Sequence, residues 1–585
     1  MSIASATISS LNPVTATDVH AAAAQLGVVV KEDEIETLRF LLAAAHDTFE
    51  EIIALPDFYL PTDLDKYPRR DVRPGNLDSE LGAVWSYRTR ISRADNQREA
   101  QPSGLLAGKN LVVKDNICVA GIPQYQGSDA IASWIPDADA TVVTRALHAG
   151  ATIIGTATCE ALSCATVSNT ASAGPIYNPF AKGYSAGGSS SGVASLVAKL
   201  KPVVDDIDGQ LEVHMGIGAD QGGSIRVPAA FCGLVGLKAT HGLIPYTGVA
   251  NCEAVLDHVG PICRTVWDTA LLLEAIAGTD SIDDRQVGAS RHKEFSFSSA
   301  LLDWFSEVAA QFGSQLLQGK KVAIVQEAMD AAYMKAEMKD DVYGVSEQLR
   351  KLGAEIEVLS IPWHSTGASL WMGMCRHSLL SGALGNPIGR RCYYPLGLLR
   401  NMLPWDQKKW DRLPAAMRNE FINGVYEQTH YPVLYAKCMN LSLKRKFWAL
   451  PYTTKELTAS TVRQEYDAVL ERFDALLLPT VPFTAPPLFD RSTASSYEKI
   501  SATFGQTLNT MQFNLTGHPA MSIPTGLRTD MSGHDASVLL PVGVQLVGKH
   551  FSEATLLQLG YAYEQSFSWR ERVNGVARTG NETYP

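Results

Sequence analysis

Three short stretches carry residue types that could do covalent chemistry without a histidine. The first is Gly218-Ala219-Asp220-Gln221-Gly222-Gly223-Ser224-Ile225-Arg226. Two glycines directly before a serine let backbone N–H groups crowd together and point at one spot. A reacting carbonyl oxygen held there would have its developing negative charge stabilised, with Ser224 beside it as nucleophile. The second stretch is Gly187-Gly188-Ser189-Ser190-Ser191-Gly192, and the third is Leu111-Val112-Val113-Lys114-Asp115-Asn116, a lysine closing an apolar run.

Each stretch alone has an ordinary reading. A Gly/Ser cluster is usually a flexible turn, and this one lacks the Gly-Lys-Ser/Thr ending of a phosphate loop. Lys114 could be a strand-end lysine reaching solvent. Ser224 could cap a helix, and Arg226 could be a surface charge. A Ser-His-Asp triad is the rival chemistry. His258, His377 and His518 are available for it, but Ser224 has no Gly-x-Ser-x-Gly setting.

The elements that must position these residues follow an α/β pattern. Residues 16–54 have a helical period, with Thr17-Asp18 as a candidate cap. Residues 55–104 contain Pro56, Pro61, Pro68, Pro74 and Pro102 and read as a wrapping linker. Short apolar runs at 111–113, 151–155, 322–325, 356–358, 475–479 and 542–547 read as strands. Helices are expected near 140–148, 338–352 and 553–565, which makes a layered α/β fold. Residues 363–475 lack clear strands and read as a mostly helical insertion.

The order and flanks of the motifs remove much of the ambiguity. The run from Ser224 through Pro228, Phe231, Gly233 and Lys238 closely resembles the amidase signature family. So do Asp257 to Asp268, Leu477-Leu478-Pro479-Thr480, Leu515-Thr516-Gly517-His518-Pro519-Ala520, and Leu540 to Gly548. The likeness runs from about residue 105 to 565, interrupted around 363–470. The Ala219 to Gly223 wording and the helical start most resemble the amidases associated with nitrile hydratases; carbamate-cleaving relatives would look similar.

That resemblance implies an α/β/α sandwich around a mixed β-sheet. It also implies a helical N-terminal domain with the start of a linker (1–75), the rest of the linker (76–104) and a catalytic domain (105–585) with the insertion at about 363–470. It assigns Ser224 as the acylated nucleophile, Ser189 as the bridging serine beside a cis peptide bond, and Lys114 as the general base. Backbone N–H groups of Gln221, Gly222, Gly223 and Ser224 would form the oxyanion hole, and Asp220 and Arg226 would hold that loop in shape. The implied enzyme cleaves small aliphatic or aromatic amides to acid and ammonia, needs no metal or organic cofactor, and forms a homodimer. Urethanase action on ethyl carbamate or other carbamates is the variant. A glutamine-hydrolysing amidotransferase component is a further alternative, and a non-catalytic scaffold a third class.

The lysine role makes a physical demand. Free lysine titrates near 10.4, so neutrality near pH 7 costs about 4 kcal/mol against the charged form. Burial behind Leu111, Val112 and Val113 would supply that. Two departures from the family pattern stand out. Ser191 occupies a position that is usually glycine, and the segment between Ser189 and Ser224 is lengthened by the acidic stretch Asp205-Asp206-Ile207-Asp208, expected as a surface excursion. Phe180, Trp371, Met374, Leu478 and Val481 are candidate apolar walls of a substrate pocket.

Composition sets the outer bounds. The chain has 585 residues, 46% hydrophobic and 19% charged, with a net charge of −11. An acidic balance argues against non-specific nucleic-acid binding and against docking on an anionic membrane. No apolar run has membrane-spanning length, and the start lacks the pattern of a secretory signal. Nine scattered cysteines without paired metal spacing fit reduced thiols in a cytoplasmic protein.

Overall fold

A computed structural model describes residues 8–58, 60–94, 104–199, 203–205, 209–287, 295–386, 393–442, 461–573 and 576–577. The chain divides into two compact units, Met1–Leu60 and Pro61–Pro585.

The first unit is a helical pair, α1 (Ala16–Gln25) and α2 (Glu32–Ala54). The cap of α1 is Thr15 rather than Thr17, because Thr15 and Asp18 form a reciprocal capping box. Glu32, Asp33 and Glu34 open α2, where negative charge is favoured by the helix dipole. Ile35, Ala43 and Ala44 are buried, whereas Leu41, Phe49, Ile52 and Ile53 remain exposed.

The second unit is built on a 14-stranded sheet. Its principal strands are β1 (Arg69–Pro74), β2 (Trp85–Ile91), β3 (Asn110–Lys114), β4 (Thr152–Ala157), β5 (Met215–Asp220), β6 (Val235–Lys238), β7 (His258–Cys263), β8 (Lys321–Val325), β9 (Glu355–Leu359), β10 (Ala475–Pro479), β11 (Ala520–Thr529) and β12 (Leu539–Val547). They lie in the order β1-β2-β4-β3-β5-β7-β6-β11-β12-β10-β8-β9. Pairing is mixed: β3 is parallel to both β4 and β5, and β5 is antiparallel to β7.

The helices that matter for the site are α3 (Thr141–His148), α4 (Ser191–Ala198), α5 (Arg226–Phe231), α6 (Val266–Ile276), α7 (Ala336–Lys351), α8 (Trp363–Ala383), α9 (Ala415–His430), α10 (Val462–Leu470), α11 (Met511–Thr516) and α12 (Glu553–Ser566). Alternation along β3 shows the layering. Leu111 and Val113 join a core with Val142 of α3, Leu272 of α6 and Leu556 of α12. Val112 points the other way, into a core with Val193 and Leu196 of α4 and Ala229 of α5. This is the α/β/α arrangement expected from the sequence.

The segment read as a linker contributes two strands instead. Pro74 ends β1, and β1 is the outermost strand, where a missing N–H costs no ladder bond. Strands β5, β7 and β11 lay outside the sequence expectation, since Gly216, Gly218, Gly260 and Gly526 dilute their β-forming character. The described residues of 363–470 are helical or irregular. Of the acidic excursion, Asp205 ends a short hairpin strand, and 206–208 lie outside the described residues. Among the described residues, no helix is long and apolar enough to cross a membrane.

Candidate active site

Strand β3 ends on Lys114, and its parallel neighbour β5 ends on Asp220, so both deliver their last residues to one edge of the sheet. Lys114 is fully buried. Its Nζ donates to Ser189 Oγ at 2.7 Å and reaches the Ala219 carbonyl at 3.4 Å. Burial pulls its ammonium down to about 8, against Cys159, Asp220, Glu160 and Asp257, which favour the charged form. Lowering it from 10.5 corresponds to roughly 3 kcal/mol, somewhat less than full neutrality at pH 7 requires.

Ser189 sits in the tight turn that enters α4, and the Gly188–Ser189 peptide bond is cis. Space fixes the glycines of this turn. A Cβ on Gly188 would lie 2.9 Å from Glu160 Cγ and from Thr166 Cα. Glu160 holds the turn from below: its N–H donates to the Ser189 carbonyl at 3.2 Å, and its Oε1 accepts from Ser191 Oγ at 3.4 Å. Ser191, the departure from the family pattern, is thus buried in the first turn of α4. Burial pushes the Glu160 carboxyl up to about 7.

The Ser224 turn is braced from both sides. Arg226 Nε and Nη2 donate to the two oxygens of Asp220 at 3.0 Å each, with both side chains fully buried. Arg226 also donates to the Thr510 carbonyl at 3.0 Å and to Asn514 Oδ1 at 2.6 Å. Burial works to raise the Asp220 carboxyl, but Arg226 and Asn514 together hold it at about 2. The loop carbonyls are each committed elsewhere. Gln221 O accepts from Trp371 Nε1 at 2.6 Å, Gly222 O from Thr510 Oγ1 at 2.5 Å, and Gly223 O from Val227 N at 2.7 Å. Gly223 has φ +147°, a conformation that L side chains rarely adopt. The two serine turns meet where Ser190 N donates to the Ser224 carbonyl at 3.3 Å.

Ser224, Gln221 and Gly222 border a cavity of about 360 Å³. Leu162, Trp371, Leu379, Phe504, Leu508 and Met511 supply its apolar wall. Its polar contribution includes Arg376 and Glu420, which pair at 3.1 Å. Of the wall residues named from sequence, only Trp371 is on this cavity. Met374 and Leu478 are fully buried in the core beneath it, Val481 belongs to another core, and Phe180 packs near Trp569 at 6.3 Å. Lining is decided by how α8, α9 and residues 500–511 fold over the loop, which no local pattern encodes.

The rival histidines are engaged elsewhere. His258 Nδ1 faces the Leu256 carbonyl at 2.8 Å, His377 stacks on Tyr435 at 4.8 Å, and His518 lies between Thr516 and Asp467. Among the described residues, no histidine lines the cavity. Thr510 and Asn514, which brace the loop before Ser224, were not singled out from sequence; both lie almost 300 residues along the chain from the loop they hold.

A family model described as Amidase matches residues 84–557. The chain is 33% identical over 501 residues to an enantioselective amidase of Rhodococcus rhodochrous, covering 84% of each chain. It is 29% identical to a glutamyl-tRNA(Gln) amidotransferase subunit of Gloeobacter violaceus, over 85% of this chain and 89% of that one. In fold it is similar to the peptide amidase of Stenotrophomonas maltophilia, with a TM-score of 0.59, 24% identity, and coverage of 79% and 83%.

Proposed function

We propose, from the premise that this chain belongs to the amidase family and is an amide-hydrolysing enzyme, that it cleaves small aliphatic or aromatic amides through Lys114, Ser189 and Ser224. The observation that carries this reading is the 2.7 Å contact of buried Lys114 Nζ with Ser189 Oγ, in a turn hydrogen-bonded to the Ser224 turn on the cavity wall.

In this reading, neutral Lys114 takes the Ser189 proton while Ser189 takes that of Ser224. Ser224 Oγ bonds to the substrate carbonyl carbon. The oxygen becomes an oxyanion, held by N–H groups of Gln221, Gly222, Gly223 and Ser224. The committed carbonyls of that loop support this, because they fix the peptide planes before substrate arrives. The C–N bond then breaks, and the proton returns from Lys114 through Ser189 to the leaving ammonia. Water repeats the sequence on the acyl-Ser224 ester and frees the acid. These steps draw on no metal or organic cofactor.

The cavity volume suits a compact acyl group, and its wall is mainly apolar. A carbamate ester presents a similar carbonyl, so ethyl carbamate is the variant substrate. The likeness to an amidotransferase component favours a second reading, glutamine hydrolysis with partner proteins. Against it, the charges best placed to clamp an amino acid, Arg376 and Glu420, pair with each other.

The reading includes self-association as a homodimer, supported by the apolar residues that α2 leaves in solvent. It also includes the reducing cytoplasm, supported by eight described cysteines that are all free thiols.

The test is ammonia release from benzamide, propionamide and ethyl carbamate, with Ser224→Ala as the blank. Release that vanishes in the variant supports the reading, and the substrate ranking separates amidase from urethanase. Equal release by Ser224→Ala overturns it. Release from glutamine alone, and only with added partner proteins, selects the second reading.

A further inference from the structure

Outside the cavity, helix α10, the turn after α11 and the turn after β12 bring Asp467, His518 and His550 together. His518 Nε2 lies 3.1 Å from Asp467 Oδ1, and His550 Nδ1 lies 3.6 Å from the same oxygen. One ligand atom from each residue falls within 4.8 Å of the other two.

The outer nitrogen of each ring is fixed by one residue. His550 Nε2 meets the Thr516 carbonyl at 3.0 Å, and His518 Nδ1 meets Thr516 Oγ1 at 2.9 Å. A carbonyl only accepts, so the His550 hydrogen belongs on Nε2. A neutral His550 ring therefore turns the lone pair of Nδ1 toward a carboxylate oxygen, which also carries only lone pairs. Two acceptors facing each other need a cation between them, either a proton on Nδ1 or a metal ion. The 3.6 Å gap is wide for an N–H···O hydrogen bond. It suits two ligands of one ion: tetrahedral bonds of about 2.0–2.1 Å place ligand atoms roughly 3.3 Å apart.

The supporting contacts fit as well. Metal-bound imidazoles characteristically have the other ring nitrogen oriented by a carbonyl or similar polar group. Both histidines face Asp467 Oδ1, while Arg463 Nε lies 3.9 Å from Oδ2, beyond hydrogen-bond reach. His518 is fully buried, while the side chains of His550 and Asp467 are 13% and 26% exposed, which leaves a route for an ion and a water ligand.

We infer that Asp467 Oδ1, His518 Nε2 and His550 Nδ1 form a site for a divalent transition ion of the zinc class, with its remaining position open to water. Two imidazoles and a carboxylate are a donor set that such ions accept. The role is structural. The ion ties α10 to the turn that continues from α11, whose Asn514 braces Asp220 in the catalytic loop.

The experiment uses the full chain, freed of metal with EDTA and titrated with Co²⁺ and separately with Zn²⁺. The expected result is one ion per chain and visible Co²⁺ bands without a thiolate-to-cobalt band, which distinguishes this site from the cavity thiols Cys164, Cys252 and Cys375. Zn²⁺ should raise the melting temperature, because it binds the folded state. His550→Ala and Asp467→Asn, both at partly exposed positions, should each weaken binding at least tenfold and remove the melting shift. No uptake, uptake that both variants retain, or a thiolate band overturns the proposal. Amide turnover is measured in parallel and is expected to be the same with and without Zn²⁺ at temperatures well below melting.

Discussion

The backbone N–H of Ser190 donates to the carbonyl of Ser224 at 3.3 Å, which locks two glycine-rich turns against each other. Neither turn is regular secondary structure, and each would be mobile alone. Joined to each other, and braced by Glu160 on one side and Arg226 on the other, they hold serines of two distant sequence segments in fixed relation. Rigid support of this kind is what positional catalysis requires.

Lys114→Met removes the amine and keeps the side-chain volume in a fully buried site. Turnover of benzamide should fall by about 10²–10⁴, the usual contribution of a positioned general base. The fold should persist, because the variant removes a charge that burial disfavours. A variant with near-normal kcat would sink the lysine base, and circular dichroism with a melting curve checks that the protein is folded.

The rate should climb with pH. In the proposed mechanism Lys114 acts as the neutral amine, and its folded-state value of about 8 makes kcat low at pH 6, half-maximal near 8 and level above it. Stability should shift in the same sense. The unfolded lysine holds its proton up to about 10.5, so between about 8 and 10.5 the unfolded state binds more protons and this group's contribution to stability rises with pH. A pH–rate profile that is flat from pH 6 to 10 would rule out this base.

Gly222→Ala places a Cβ 2.6 Å from Trp371 Cζ2. The indole must move, and with it the bond from Nε1 to the Gln221 carbonyl. We expect kcat/KM to drop by about 10- to 100-fold. Trp371→Leu alone should also impair the enzyme, through the lost bond and the enlarged wall. In the double variant the clash is gone, so the losses should be smaller than their product; simple multiplication of the two effects would refute the contact.

Arg226→Met leaves Asp220 buried without its cation. Breaking one partner of a buried pair costs about 3–5 kcal/mol. Denaturant unfolding should show a loss of that order, and turnover should fall because the loop before Ser224 loses its brace. Unchanged stability would mean that Asn514 and the neighbouring amides satisfy Asp220 unaided.

The catalytic candidates were readable because their signals are local. Paired glycines before a serine and an apolar run before a lysine keep their meaning in isolation, and the resemblance placed them in one order. The sheet was less legible where glycine replaces β-formers, as in β5, whose Gly216 is packed under Val193 of α4. The prolines around 61–74 read as a linker because their cost depends on position in a sheet; of them only Pro74 lies in a strand, and at the sheet's edge it is tolerated. The cavity wall was least legible. Leu478 and Trp371 look equally apolar in sequence, yet one is a fully buried strand residue and the other lies over the loop before Ser224. That difference arises only when Trp371 of α8 reaches the Gln221 carbonyl in the loop after β5.

The parallel pairing of β3 with β5, Val113 opposite Ile217, carries a consequence for how active protein is counted. A strand alternates faces at every residue, so a slip of one position in β3 would turn Lys114 away and offer Asp115 in its place. The chain would keep its helices and most of its sheet while presenting an acid where a base is needed. Far-ultraviolet spectra would score such a molecule as native. Stoichiometric labelling of Ser224 by a fluorophosphonate would not, so the labelled fraction of a refolded sample is a census of chains whose central strands have settled in register.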